Sequence, residues 1–211
     1  WLGITPYVYA ISGRQWNDIP RQADKLQAEH GDDFDAILIF IGTNDYNAGV
    51  PVGQWYTESD EQVVAAVHGP KATVTRKKRT LIYSDSTYCG RINKAMALLK
   101  KRWQSKQIVL LTPIHRGYFY GNEKNIQPSE EYQNCIGEYF QTYVDKVKEA
   151  GNIWAVPVLD VNSTSGLYPL FDESAINYHT LETDRLHPND KGHERLARTL
   201  EYQLLTLPCE L

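Results

Sequence analysis

The chain has 211 residues, 42% apolar and 23% charged, with a net charge of −4. That balance suits one globular domain with a substantial core and gives no electrostatic footprint for nucleic acid. The longest basic cluster, Arg76-Lys77-Lys78-Arg79, is short and reads as a solvated loop. No apolar run approaches the roughly twenty residues of a membrane-spanning helix, so no membrane span is expected. The three cysteines Cys89, Cys135 and Cys209 lack metal-ligand spacing. They read as free thiols packed like small apolar residues, the first two in helices, with a disulfide involving Cys209 left open.

In chain order, Thr5–Ile11 is β-branched and aromatic and ends at Ser12-Gly13, which predicts a short strand entering a loop. Asp18 as cap, Pro20 in the first turn, Ile19, Ala23 and Leu26 on one face and Gly31 as breaker predict a helix. The run Ala36-Ile37-Leu38-Ile39-Phe40-Ile41 predicts a parallel strand buried on both faces. From about 49 to 85 the pattern is irregular, broken by Pro51, Gly53, Gly69 and Pro70. This reads as an insertion, either a pocket wall using Trp55, Tyr56 and Tyr83 or a surface elaboration.

From Gly90 onward Ile92, Ala95, Met96, Leu99 and Trp103 recur at helical spacing. Residues 107–113 predict another buried strand, followed by a polar and aromatic loop with His115, Arg116, Tyr118, Phe119 and Tyr120. A stripe through Tyr132, Cys135, Ile136, Tyr139, Phe140, Tyr143, Val144 and Val147 predicts a helix from near Glu130 to Ala150, ended by Gly151. Trp154–Val161 predicts a further strand, with Pro157 favouring a sheet edge or bulge. His193, Leu196, Ala197, Leu200 and Leu204 define a terminal amphipathic helix. Strands alternating with helices predict a doubly wound, three-layer α/β/α domain over residues 1–211, with its ligand crevice beyond the carboxyl ends of the strands.

Two polar signatures fall where that crevice should lie. Gly42-Thr43-Asn44-Asp45 follows the strand at 36–41, and Asp184-Arg185-Leu186-His187-Pro188 precedes the last helix, with Asn189 or Asp190 able to cap it. A carboxylate three residues before an imidazole can accept from one ring nitrogen while the other faces substrate, a general-base arrangement. The Asn44 amide and the unobstructed Gly13 N–H are the kinds of donor that stabilise an oxyanion. Each also has a structural use: His187 at a helix start, Asn44 and Asp45 as turn caps, Gly13 as a turn residue.

Taken together and in this order, Ser12-Gly13-Arg14, Gly42-Thr43-Asn44-Asp45 and Asp184-Arg185-Leu186-His187-Pro188 resemble the SGNH, or GDSL-type, hydrolase family. The resemblance implies a flavodoxin-like parallel sheet and serine-type ester hydrolysis without metal or cofactor. It assigns Asp184 and His187 to a catalytic triad and Gly13 and Asn44 to the oxyanion hole. His115, Arg116 and Tyr118 are candidates for the substrate rim, and the expected substrate is a small-molecule or carbohydrate ester, such as an O-acetylated sugar. The family's first block, a Gly-Asp-Ser turn after a central strand, has no counterpart here. The expectation is that this strand and its serine lie upstream of Trp1; the compartment stays open, with a secreted or periplasmic location expected if an export signal also precedes Trp1. A noncatalytic binding module and an acyltransferase stand as the alternative readings.

Overall fold

The computed structural model describes residues 3–66 and 68–207. Its centre is a parallel sheet of β1 (Ala36–Phe40), β4 (Gln107–Leu111) and β7 (Val158–Leu159), in the order β1-β4-β7. Continuous pairing runs from Ala36 opposite Gln107 to Phe40 opposite Leu111. β4, in the middle, is buried at every residue because each of its faces meets a different apolar layer. Ile108 and Leu110 join one cluster with Ile39, and Val109 and Leu111 join another with Leu159, Leu167, Tyr178 and Leu196.

β1 departs from the expected burial on both faces. Ile39 packs into the first cluster, but Leu38 and Phe40 are 45% and 46% exposed. The second cluster covers β4 and β7 and stops short of β1, and among the described residues β4 is the only strand paired with β1. The expected strand at Thr5–Ile11 is likewise absent: the segment carries no ladder, and Ile4, Val8 and Ile11 are exposed. Isolated β-branched residues do not form a strand without a pairing partner.

The helices follow their apolar spacing more faithfully. α1 (Ile19–His30) ends on Gly31 at φ 57°, while Asp18 at its N-cap position bonds Arg21 and Gln22 side chains instead of backbone. α3 (Tyr88–Arg102) is capped by Thr87, whose side chain accepts from Gly90 N–H, and buries Ile92, Ala95, Met96 and Leu99. α4 (Phe140–Trp154) starts ten residues later than the expected onset near Glu130. Asn134 explains the late start: its side chain accepts from Ile136 and Glu138 N–H groups, giving that stretch a local turn in place of helical bonds. Cys135 therefore stands exposed outside a helix; Cys89 is buried, both thiols are free, and Cys209 lies outside the described residues. Gly151 does not end α4 but lies inside it, where a Cβ would strike the Val158 side chain; the helix ends on Ala155 in a left-handed conformation. Consequently the strand expected at Trp154–Val161 shrinks to β7, at the sheet edge as Pro157 suggested. α6 (Asp190–Leu204) opens on Asn189, whose side chain accepts from Gly192 N–H at 3.1 Å.

The irregular stretch from 49 to 85 contains a regular hairpin, β2 (Tyr56–Ala65) with β3 (Ala72–Leu81). Neither face carries an apolar stripe, so its period was invisible in the sequence. The basic cluster lies on β3, not in a loop, and Lys78 and Arg79 meet Glu61 and Glu58 at 2.9 and 3.1 Å. At the hairpin base Trp55 is 8% exposed and donates to Glu149, so it is a core residue and not a pocket wall. The loop after β4 also holds strands, β5 (Phe119–Asn122) and β6 (Asn125–Gln127). With β8 (Tyr178–Thr180) and β9 (Asp184–Pro188) these form a small sheet ordered β6-β5-β9-β8. No helix among the described residues is long and apolar enough to cross a membrane.

Candidate active site

The carboxyl end of β1 runs into Gly42 at φ 133°, a conformation L side chains rarely adopt; a Cβ there would also lie 2.5 Å from Tyr88 Oη and 3.0 Å from Pro113. This turn launches α2 (Thr43–Asn47) and brings Asn44 to the strand-end face. The Asn44 side-chain amide donates to Arg14 O at 3.2 Å, and Gln15 Nε2 donates back to Asn44 O at 3.2 Å. The loop bearing Gly13 and the turn bearing Asn44 are thus brought together. Gly13 itself sits at φ 78° in an exposed turn, with open space where a Cβ would stand.

Behind this pair lies a network that sequence reasoning missed. Asp45 has no exposure; its Oδ2 accepts from Trp16 N–H at 3.1 Å and its Oδ1 meets Arg91 Nη1 at 2.9 Å. The same Arg91 nitrogen donates to Gln15 Oε1 at 2.7 Å, closing a ring that runs Asp45–Arg91–Gln15–Asn44. Burial pushes the Asp45 carboxyl up from 3.8 to about 6, a rise that the bonds from Arg91 and Trp16 N–H oppose but do not cancel. The Asn-Asp pair was visible in the sequence as a turn cap. Arg91 was hidden within an α3 stripe whose spacing explains only core packing.

The second half of the site stands on β9, where a loop was expected. His187 Nδ1 lies 3.0 and 3.1 Å from the two Asp184 oxygens. Asp184 Oδ1 also accepts from Leu186 and His187 N–H groups at 3.1 and 3.0 Å, so the carboxylate is oriented by its own strand. The Asp184 side chain is 13% exposed and the His187 ring 53% exposed. Because a carboxylate accepts, Nδ1 donates and the lone pair is left on Nε2, the arrangement a general base requires. Phe119 meets the His187 ring edge to face at 5.1 Å, and His179 Nδ1 stands 3.9 Å from Asp184 Oδ2.

Contacts between the halves are indirect. Asn47, at the end of α2, bonds Arg116 Nη1, and Gly117 N–H donates to Arg185 O at 2.8 Å, so one chain of bonds runs from the Asn44 helix to the Asp184–His187 strand. Of the three rim candidates, Arg116 is 1% exposed, an interior position in which it also bonds Gln127 and Pro128 O. Burial pushes its guanidinium down to about 10. The Tyr118 hydroxyl is committed to the Leu181 and Glu182 carbonyls, and its ring lies under Arg185. His115, like Tyr118, is partly exposed, with Nδ1 at 2.6 Å from Glu130. Ser84 and Ser86 bond each other at 2.7 Å, and His193 is exposed on α6.

The profile of the GDSL-like Lipase/Acylhydrolase family matches residues 2–195. Solved structures share the fold. One is 23% identical with a TM-score of 0.62, aligned over 88% of this chain and 70% of its own. A protein from Lactobacillus plantarum is 23% identical with a TM-score of 0.61, over 87% of this chain and 72% of its own. A structure described as a possible lipase from Chitinophaga pinensis DSM 2588 is 19% identical with a TM-score of 0.57, over 93% of this chain and 81% of its own. No curated protein matches.

Proposed function

This chain belongs to the GDSL-like lipase/acylhydrolase family, and from that premise we propose that it hydrolyses an ester through a serine acyl-enzyme, with O-acetylated carbohydrate as the preferred substrate. The observation that carries the reading is the Asp184–His187 pair, a half-exposed imidazole held at 3.0 Å by a carboxylate that its own backbone orients. Nε2 of His187 takes the serine proton as the hydroxyl attacks the ester carbonyl and returns a proton to the departing alkoxide; the second half-reaction repeats the transfer with water. Asp184 holds the tautomer and stabilises the imidazolium. Gly13 N–H and Asn44 Nδ2 stabilise the tetrahedral oxyanion, each donor contributing about 3 kcal/mol.

The nucleophile is assigned to a serine that is not among these 211 residues. Among the described residues β1 pairs only with β4, and its other, unpaired edge supports a further strand beside it, whose carboxyl end would bring a hydroxyl to the Gly13–Asn44 turn. Hydrolysis of short acyl esters by the full-length protein tests the reading. His187→Ala should lower turnover by about 10³-fold or more; a fully active variant would refute the mechanism.

A further inference from the structure

A second set of oriented groups stands at the strand-end face, and the acyl-transfer steps above do not use it. His115 follows β4 by four residues, and its Nδ1 lies 2.6 Å from Glu130 Oε1. The other Glu130 oxygen accepts the Arg116 backbone N–H at 2.9 Å, which pins the carboxylate. Acting as acceptor, that carboxylate leaves the proton on Nδ1, so the lone pair stands on Nε2. The Glu130 side chain is 12% exposed and the His115 ring 25%: the partner is sheltered while the ring still reaches the surface.

Beside this imidazole runs a short row of aromatic rings. Tyr168 meets His115 edge to face at 5.3 Å, Phe171 meets Tyr168 at 5.2 Å, and Phe171 is 62% exposed. The row is fastened to the strand that carries Asp184 and His187. Tyr178, paired with Pro188 on β9, donates its hydroxyl to His115 O at 2.9 Å. Gly117 packs so closely on Arg185 that a Cβ would stand 2.5 Å from the Arg185 side chain and 3.4 Å from Pro169, one residue beyond Tyr168.

We propose that His115, Tyr168 and Phe171 form a subsite for the alcohol portion of the ester, and that this portion is a hydroxylated ring of the pyranoside class. The aromatic row offers apolar ring surface to sugar C–H groups, and the fixed lone pair on Nε2 accepts from a hydroxyl. A plain alkyl chain would cover the rings but leave that nitrogen unpaired against carbon. The subsite rests on the esterase reading and specifies the portion of the substrate that the triad leaves undefined.

The test uses the full-length protein and two acetate esters, an O-acetylated methyl pyranoside and p-nitrophenyl acetate. His115→Phe keeps a ring and removes the acceptor; Glu130→Gln supplies an amide donor that reverses the tautomer; Phe171→Ala alters an exposed position, where folding is not at stake. Each variant should lower kcat/KM for the pyranoside by about tenfold relative to that for p-nitrophenyl acetate, the loss of about one hydrogen bond or stacking contact. An unchanged ratio in all three would overturn the subsite. If the wild type cleaves neither ester, the esterase reading fails by itself. The subsite is then decided by NMR titration with unacetylated methyl pyranosides: binding that His115→Phe abolishes supports it, and no binding by the wild type overturns it.

Discussion

The turn bearing Asn44 is held from the interior, and the strand bearing His187 is held at the surface. Behind Asn44 stands a carboxylate with no exposure, salt-bridged to Arg91, whose side chain is only 12% exposed. Behind His187 stands a four-stranded antiparallel sheet of short strands, and the imidazole itself is half exposed. Groups that only donate hydrogen bonds to developing charge lose nothing by rigidity, so burying their support is favourable for preorganisation. In the proposed mechanism His187 exchanges protons with serine, alkoxide and water, a role that needs access, and backbone pairing orients the ring without enclosing it.

Substitution at the exposed half should have the largest effect on turnover with the least effect on stability. In the full-length protein, His187→Ala should lower kcat by about 10³-fold or more, and Asp184→Asn by a similar factor, with thermal unfolding nearly unchanged. Steady-state kinetics paired with calorimetry would expose the opposite pattern. At the buried half, Asn44→Ala should reduce kcat by about 10²-fold to 10³-fold with KM little altered, since its donor acts on the transition state.

Arg91→Met sharpens the comparison, because it should damage stability and catalysis together. It leaves Asp45 buried without its cation, a change that costs about 3–5 kcal/mol, readable as a fall in the denaturation midpoint. The same pair gives the buried half its own pH dependence. Asp45 has its carboxyl raised from 3.8 to about 6, so between those values the folded protein binds more protons than the unfolded one. Its contribution to stability is therefore greatest below about 3.8, declines as the pH rises to about 6, and is constant above. Protonation also ends the ion pair that steadies Gln15 and Asn44, so kcat should gain an acid limb that falls as the pH drops through about 6. In Asp45→Asn that extra limb of the pH profile should vanish. The smallest effect belongs to the β2–β3 hairpin, remote from both halves in its bonding: Arg79→Ala breaks an exposed pair with Glu58 and should change stability by less than about 1 kcal/mol.

What could be read in the sequence follows the same division. α1, α3 and α6 have apolar residues at helical spacing, and the structure keeps them within a few residues. β1 and β4 announce themselves as apolar runs, yet only β4 is covered on both faces, because burial depends on which layers reach a strand. β2, β3, β5, β6 and β8 are mostly exposed, scatter Val63, Val64, Tyr120 and Ile126 among polar residues, and carry no apolar period to read. Asn44, Asp184 and His187 stood out by residue type and local spacing. Arg91 and Glu130 did not, because their partners Asp45 and His115 lie 46 and 15 residues away, and only the fold brings them together.

The central claim is that His187 serves a serine nucleophile. A fluorophosphonate probe reacted with folded, full-length protein, followed by peptide mapping, tests it most directly. A single labelled serine outside residues 1–211, with labelling lost in His187→Ala, is the predicted result. Failure to label any serine, or labelling that persists undiminished in His187→Ala, would contradict it.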